Sequence, residues 1–167
     1  MKKKTPDKNV ISDPPCRTSI AVNINISCDT VRFDRHKIIE MVQKVTGQFG
    51  TRKARINFIV LDDKEITKLN RKFLNKTGTT DVISFDLSDK ADGLNNFDIA
   101  VNAEMAQRQA KTRDHKPESE LALYLLHGLL HNLGFDDSTA GKAAKMHKTE
   151  DDILQKFGYG IVYNRKR

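Results

Sequence analysis

Residues 127–137 read HGLLHNLGFDD, and this stretch restricts both the fold and the chemistry of the chain more than any other. His127 and His131 are four residues apart, so on a helix their rings lie on one face and can hold one metal ion. Gly134 allows the helix to end and the chain to turn, because glycine accepts a positive φ. Asp137 can then return as a third ligand. Three protein ligands with one open position are typical of a catalytic zinc site, which activates a water molecule.

Other interpretations of this stretch stay open at the level of sequence. The two histidines could be buried, hydrogen-bonded residues of a leucine-rich helix. Asp136 could replace Asp137 as the third ligand, although a role in the turn, or in orienting a ligand histidine, is the more usual one for such a residue. Gly128 stands where H-E-x-x-H metalloproteases carry their glutamate general base, which argues against an ordinary protease.

Composition indicates one soluble domain. The chain has 167 residues, of which 38% are hydrophobic and 31% charged, and it has no run of about 18 apolar residues that would predict a transmembrane helix. The basic N-terminus is not followed by an apolar segment, so we expect no secretory signal. Two cysteines without a C-x-x-C motif make a disulfide framework implausible and favour the cytoplasm.

The net charge of +7 is concentrated at the two ends of the chain. Residues 1–19 carry five basic and two acidic residues, and residues 165–167 are all basic, which leaves only +1 for residues 20–164. Basic ends can add affinity for phosphates, or they can be solvated ends without a partner. We therefore divide the chain into a flexible basic arm (1–19), one domain (20–160) and a basic tail (161–167).

Apolar periodicity predicts a fold of the α+β class, with a small mixed four-stranded sheet, helices packed on its faces and the metal site on a central helix. The strands are predicted at residues 20–27, 55–61, 81–85 and 98–102, the last as a candidate edge strand. The helices are predicted at residues 34–48, from 62 to about 73, 103–113, 117–133 and 140–157. On the first helix the predicted inward residues are Ile38, Met41, Val42 and Val45, and on the last helix they are Ala144, Ile153, Leu154 and Phe157.

Four segments, in the same order along the chain, resemble the YbeY family of metal-dependent endoribonucleases over about residues 20–160. Residues 127–137 are similar to the family signature H-G-x-L-H-x-x-G-[YF]-D-H, and residues 69–85 are similar to its L-N-x-x-[YF]-R and D-V-[LI]-S-F motifs. Residues 98–101 read DIAV, like the D-I-x-[IV] strand of the family. The fourth segment, M-x3-E-x2-[IL]-L, is matched by Met146, Glu150, Ile153 and Leu154.

This resemblance implies a zinc-dependent endoribonuclease that cleaves single-stranded RNA in ribosomal RNA processing and ribosome assembly. One Zn²⁺ per chain would be held by His127, His131 and Asp137, which would also be the catalytic residues, through the water that the metal activates. The expected partners are ribosomal RNA and a ribosomal subunit or assembly factors, with no membrane and no DNA.

Two positions depart from the family pattern. The third family ligand is histidine, whereas this chain has Asp137, a competent zinc ligand that leaves the centre one charge less positive. We therefore predict a higher pH optimum than in a three-histidine relative. The family arginine falls on Leu74, so the cations for RNA would have to come from Arg71, Lys72 or Lys76, unless these three are simply solvated. His147, on the last helix, could approach the site, but an exposed surface histidine is the more usual expectation. Asp81 and Ser84 open a strand, and either lining the site or capping that strand would explain them.

Two rival functions follow from these departures. The first is a metallopeptidase-like hydrolase that uses the same ligands. The second is an RNA-binding or ribosome-binding assembly factor with reduced catalysis and a structural metal.

Overall fold

The computed structural model describes residues 18–89, 91 and 93–163. In chain order the elements are β1 (Ser19–Ile26), α1 (Arg35–Gln48), β2 (Lys53–Leu61), α2 (Asp63–Leu74), β3 (Val82–Asp86), β4 (Asn95–Asn102), α3 (Ala103–Arg113), α4 (Pro117–Asn132) and α5 (Ala140–Lys156). Within the described ranges, no helix combines the length and the apolar character that a membrane crossing requires.

The four strands form one mixed sheet in the order β1-β2-β4-β3. β1 and β2 are parallel, as are β2 and β4, whereas β3 pairs antiparallel with β4 and lies at the edge. The predicted α+β class with a mixed four-stranded sheet is confirmed. The prediction of β4 as an edge strand is wrong, because β4 pairs on both sides and also begins earlier, with Asn95 opposite Ala54 of β2.

The helices cover both faces of the sheet unequally. The larger core joins α1, α4 and α5 to the side chains of Phe58, Phe97 and Ile99 on one face. A smaller cluster on the other face joins Ile66 of α2 to Ile83 and Ala100. α4 is the central helix, since its leucines are almost all fully buried, as expected of a helix that is apolar around most of its circumference.

The predicted inner face of α1 is confirmed, because Ile38, Met41, Val42 and Val45 are all buried. On α5 the prediction is half right. Ile153 and Leu154 are buried, but Phe157 is only partly buried and Ala144 is exposed. The inner face of α5 instead begins at Met146, which lies a little over half a turn around the helix from Ala144.

The C-terminal residues of the described chain pack back onto the domain. The buried carboxylate of Asp151 accepts hydrogen bonds from the backbone N–H groups of Val162 and Tyr163, both at 2.9 Å. Ser119 on α4 donates to the carbonyl of Tyr159 at 3.0 Å. The predicted N-terminal arm lies outside the described residues up to residue 17, and so does the predicted tail from residue 164 onwards.

Candidate metal centre

α4 brings His127 and His131 together one helical turn apart. Their Nε2 atoms are 3.0 Å from each other, and the ring centroids are 4.5 Å apart in an edge-to-face arrangement. Both rings lie at the C-terminal end of the buried helix, where its polar side faces solvent. The predicted pair on one helix face is therefore present in the structure.

A tight turn after α4 carries Asp137 to the same point. Gly134 has a φ of +91°, and the N–H of Phe135 donates to the carbonyl of Leu130 at 2.9 Å, which reverses the chain. The Oδ2 atom of Asp137 then lies 3.9 Å from Nε2 of His127 and 3.8 Å from Nε2 of His131. The three side chains form a group whose ligand atoms all lie within 4.8 Å of one another.

Hydrogen bonds to the Nδ1 atoms set the orientation of both imidazoles. Nδ1 of His127 lies 2.7 Å from Oε1 of Glu150, and Nδ1 of His131 lies 3.2 Å from the carbonyl of Phe135. Both partners are acceptors, which favours a proton on Nδ1 of each ring and leaves Nε2 as the nitrogen that can bind a metal in the neutral imidazole. This is the usual arrangement by which outer groups orient metal-binding histidines.

Glu150 is fully buried and serves a second histidine as well. Its Oε2 atom accepts from Nδ1 of His147 at 2.8 Å, and the ring of His147 stacks on Tyr163 with centroids 3.4 Å apart. The prediction that His147 is an exposed surface histidine is wrong, because its side chain is only 16% exposed. The hydrogen bond to Glu150, on the inner face of α5, holds His147 beside the site.

The charge around His127 favours its protonated form in the metal-free protein. Burial alone would lower the pKa of His127, but the hydrogen bond and the negative charge of Glu150 outweigh burial, and the more distant Asp81 and Asp137 add to the effect. The net result is a pKa above the ordinary histidine value. The same negative surroundings favour a bound cation.

The donor set fits a zinc ion. Two imidazole lone pairs 3.0 Å apart repel each other unless a proton or a cation lies between them. A tetrahedral zinc ion with bonds of about 2.0–2.2 Å would separate its ligand atoms by roughly 3.3–3.6 Å. The observed separations of 3.0, 3.8 and 3.9 Å lie on either side of this range, so coordination requires the two imidazoles to move slightly apart and the Asp137 side chain to move slightly closer.

A cleft of about 290 Å³ is lined by two of the three candidate ligands, His127 and Asp137. Asp81, at the start of β3, lines it, and the carboxylate of Asp81 also accepts from the N–H of Val82 at 2.9 Å, so lining the site and capping the strand occur together. Ser84 is not among the residues that line the cleft; its side chain faces Gly128 on the buried side of α4.

Arg113 is the only lysine or arginine among the described residues that line this cleft. Its Nη1 atom donates to Oε1 of Glu120 at 2.8 Å, while the other carboxylate oxygen of Glu120 lies 2.5 Å from Nε2 of His115. The Arg113 side chain is still 39% exposed. A guanidinium group has five N–H donors, so Arg113 can bind Glu120 and still donate to a ligand. Sequence analysis did not identify Arg113, because nothing in the surrounding sequence distinguishes it.

Asp136 does not approach either histidine. Its carboxylate accepts from the backbone and hydroxyl of Ser138, each at 2.8 Å, and from Lys142 at 2.6 Å. These bonds, with Lys142 contributing most, hold the pKa of Asp136 well below its usual range. Of its predicted roles, the structure shows the one in the turn.

The predicted RNA-binding residues lie away from the histidines. Arg71 and Lys72 are on α2, which packs on the opposite face of the sheet from α4, and Lys76 follows in the loop after α2. No residue of 63–76 lines the histidine cleft. The histidine helix and the 71–76 segment therefore line no common groove, because strand β3 lies between them.

Gly128 is required by packing. A Cβ atom at this position would lie 2.7 Å from Cγ2 of Ile99 and 2.9 Å from Cγ2 of Val82, closer than side-chain carbons approach. The glycine lets α4 lie close against β3 and β4. A glutamate general base has no room at this position, which removes the central residue of the metallopeptidase alternative.

Comparison with known proteins gives a consistent result. Residues 23–158 match the protein family described as Endoribonuclease YbeY. The chain is 34% identical over 125 residues to Endoribonuclease YbeY of Sulfurovum sp. (strain NBC37-1), covering 72% of this chain and 82% of that protein. It is 31% identical over 144 residues to Endoribonuclease YbeY of Syntrophus aciditrophicus (strain SB), covering 83% and 90%.

A solved structure supports the fold. The solution structure of TM1509 from Thermotoga maritima superimposes with a TM-score of 0.55 at 19% identity, and the match covers 89% of this chain and all of that one. At this identity the likeness concerns the fold alone.

Proposed function

The chain belongs to the YbeY endoribonuclease family, and from this premise we propose that it is a zinc-dependent endoribonuclease that cleaves single-stranded RNA. We assign its substrate to ribosomal RNA that is processed during ribosome assembly in the cytoplasm, with a ribosomal subunit or assembly factors as partners. The observation that carries the proposal is the meeting of His127, His131 and Asp137, with both imidazole Nδ1 atoms already held by acceptors.

In this proposal the catalytic chemistry is divided between the metal and the chain. Zinc, when bound, would act as a Lewis acid on a phosphoryl oxygen and activate water. Glu150 and the Phe135 carbonyl engage the two Nδ1 atoms, so that both Nε2 atoms are aimed at one point and bind the metal when it displaces any proton there. Asp137 adds a negative ligand from the turn.

Arg113 is our candidate for the group that binds the scissile phosphate. The cleft otherwise presents the carboxylates of Asp81, Asp137 and Glu150, which repel a phosphodiester. A guanidinium group can bind two phosphate oxygens at once, and Glu120 fixes the Arg113 side chain beside the cleft. This cation would take the part that Leu74 cannot, since Leu74 is an apolar residue, 45% exposed, at the end of α2.

A basic surface on α2 supports binding of a longer RNA strand. Arg71 and Lys72 line a shallow groove together with Lys64 and Lys68, and within the described part of the chain none of these four forms an ion pair. Together with Lys76, these four residues would contact phosphates distant from the cleavage point. The RNA strand would then run from α2 across the edge of the sheet formed by β3. Such contacts add salt-dependent affinity without sequence preference.

Metal analysis tests the proposal first. Protein purified without added metal should contain about one zinc per chain, and Asp137→Ala should lose most of it. Asp136→Ala is the matched control, because Asp136 is an adjacent carboxylate that contacts only the turn and Lys142, so it should retain zinc. A wild-type protein that takes up no zinc even when zinc is supplied would contradict the proposed mechanism.

Cleavage assays follow on single-stranded and duplex RNA of the same sequence. We expect the single strand to be cut by the zinc-loaded wild type, no cutting after zinc is removed, and recovery when it is restored. Equal rates on the two RNA forms would refute single-strand specificity.

The exposed Leu74 favours a second candidate function, that of an RNA-binding assembly factor whose zinc is structural. In that case wild type would bind RNA without cutting it, and His127→Ala would bind as well as wild type.

A further inference from the structure

Tyr163 forms one wall of the cleft, although it lies beyond the segment that matches the family. The family match ends at residue 158, and Tyr163 lines the cleft together with His127 and Asp137. Its ring stacks on His147 at 3.4 Å with an interplanar angle of 12°, so one face is covered. The side chain nevertheless belongs to a residue that is 47% exposed, which leaves the other face open to solvent.

The position of this ring is held by the fold. Both Val162 and Tyr163 donate their backbone N–H groups to the same buried oxygen of Asp151, and the Val162 side chain is 2% exposed. His147, the stacking partner, is fixed in turn by Glu150. The aromatic face is therefore ordered before any ligand arrives, so little rotational freedom is lost when a planar group binds to it.

Tyr163 is exposed, unlike the other two tyrosines. Tyr124 and Tyr159 are 5% and 8% exposed and belong to the core, and the chain has no tryptophan. Bases of single-stranded RNA are unstacked and planar, and proteins that bind single strands stack them on exposed aromatic rings. An exposed aromatic ring beside a centre that cleaves RNA can therefore bind an unpaired nucleobase.

We propose that the open face of Tyr163 is a stacking subsite for the nucleobase next to the scissile phosphate. The inference rests on the proposed endoribonuclease function. Because every base has a π face, this subsite contributes affinity and position without reading sequence, and it requires a base that is not paired in a duplex. It thereby gives the cleft a physical reason to prefer single strands.

The test uses zinc-loaded full-length protein and short single-stranded RNAs in which one nucleotide at a time is abasic. Binding is followed by stopped-flow mixing before cleavage, with 2-aminopurine as the fluorescent base. With wild type, one abasic position should weaken binding about tenfold, the size expected for one stacked base. Tyr163→Phe keeps the ring and should behave like wild type. Tyr163→Leu should bind intact RNA about tenfold more weakly and should no longer distinguish that abasic position.

Two controls keep the outcomes separate. Phe73→Leu removes another exposed aromatic ring, 53% exposed on α2, and should leave the discrimination of the abasic position unchanged. Zinc content of Tyr163→Leu should equal that of wild type, which excludes damage to the site through His147.

Each result has one interpretation. If Tyr163→Leu discriminates the abasic position as wild type does, the stacking subsite is refuted while the nuclease proposal stands. If wild type binds RNA but never cuts it, the nuclease proposal fails and the binding data still decide on stacking. If wild type binds no RNA, both are overturned.

Discussion

Replacing Glu150 tests how strongly a residue that is not itself a candidate ligand contributes to zinc affinity. The carboxylate is fully buried and accepts from Nδ1 of His127 at 2.7 Å and from Nδ1 of His147 at 2.8 Å. Glu150→Gln keeps one acceptor oxygen for His127 but removes the negative charge. Glu150→Leu removes both, and it leaves His127 free to adopt the other tautomer, with a proton on the nitrogen that should face the metal.

The expected loss of zinc affinity depends on whether a substitution removes the negative charge alone or also the hydrogen bond to His127. Outer partners of metal-binding histidines typically account for a factor of about 10–100 in metal affinity, or roughly 1.4–2.7 kcal/mol. Glu150→Gln should fall near the lower limit, because the hydrogen bond to His127 survives. Glu150→Leu should fall near the upper limit, and two buried N–H groups left without an acceptor should also lower the free energy of unfolding, by about 1–3 kcal/mol each.

Competition between the apoprotein and a zinc chelator near neutral pH measures these affinities. Asp151→Asn is the matched control, because Asp151 is the next residue and is also a buried carboxylate, but it accepts hydrogen bonds from the C-terminal backbone. It should lose stability and keep its zinc affinity. The reasoning would be refuted if Glu150→Leu bound zinc within about twofold of wild type, since a partner worth less than that does not orient the ligand.

Gly128→Ala should destabilise the protein in urea unfolding, because the new Cβ would lie 2.7 Å from Ile99; overpacking costs about 1–3 kcal/mol and a better helix residue returns at most about 1 kcal/mol, so a net gain in stability would contradict the packing argument. In the zinc-free protein the pKa of His127 is raised by Glu150 against the opposing effect of burial, so its contribution to stability is present below the unfolded pKa and disappears as pH rises through the folded pKa. Urea unfolding from about pH 6 to 8 should show this decline in wild type and a smaller one in His127→Gln; equal slopes would contradict it. Arg113→Gln can still donate to Glu120 but has no charge, so we expect weaker RNA binding, with the salt slope reduced by about one, whereas Lys111→Gln on the same helix, outside the residues that line the cleft, should leave the slope of cleft binding nearly unchanged.

Much of the fold follows from local pattern, and the exceptions have a common cause. The helix that carries the two histidines begins at Pro117 and ends next to Gly134, as the proline start signal and the glycine stop signal predict. The position of β4 within the sheet could not be obtained in this way, because strand order depends on which distant segments pair. An interior strand and an edge strand with one solvated face can read alike along the chain.

The same limit applies to the candidate site. The three candidate ligands fall within residues 127–137, so their spacing alone predicts that they meet. Glu150 is 23 residues from His127, and their contact requires the packing of α5 on α4. A glutamate between Met146 and Ile153, on the inner face of a helix, is a signal that a buried partner exists, but it does not identify the partner. Tyr163 carries no signal at all, since the buried Asp151 that anchors it is visible only in the fold.

Charge connects the two departures from the family pattern. With Asp137 in place of a third histidine, a bound zinc ion has its charge of +2 reduced by one within the ligand set and is further opposed by Glu150 and Asp81 at the same cleft. A phosphodiester is thus attracted less strongly than by a three-histidine centre, and water is activated less readily. An arginine outside the ligand set can compensate for the weaker attraction of the phosphodiester, because it binds the phosphate directly. It cannot compensate for the weaker activation of water, because it does not change the electron donation to the metal. With Arg113 held against Glu120, we therefore expect ordinary substrate affinity together with a pH optimum above that of a three-histidine relative.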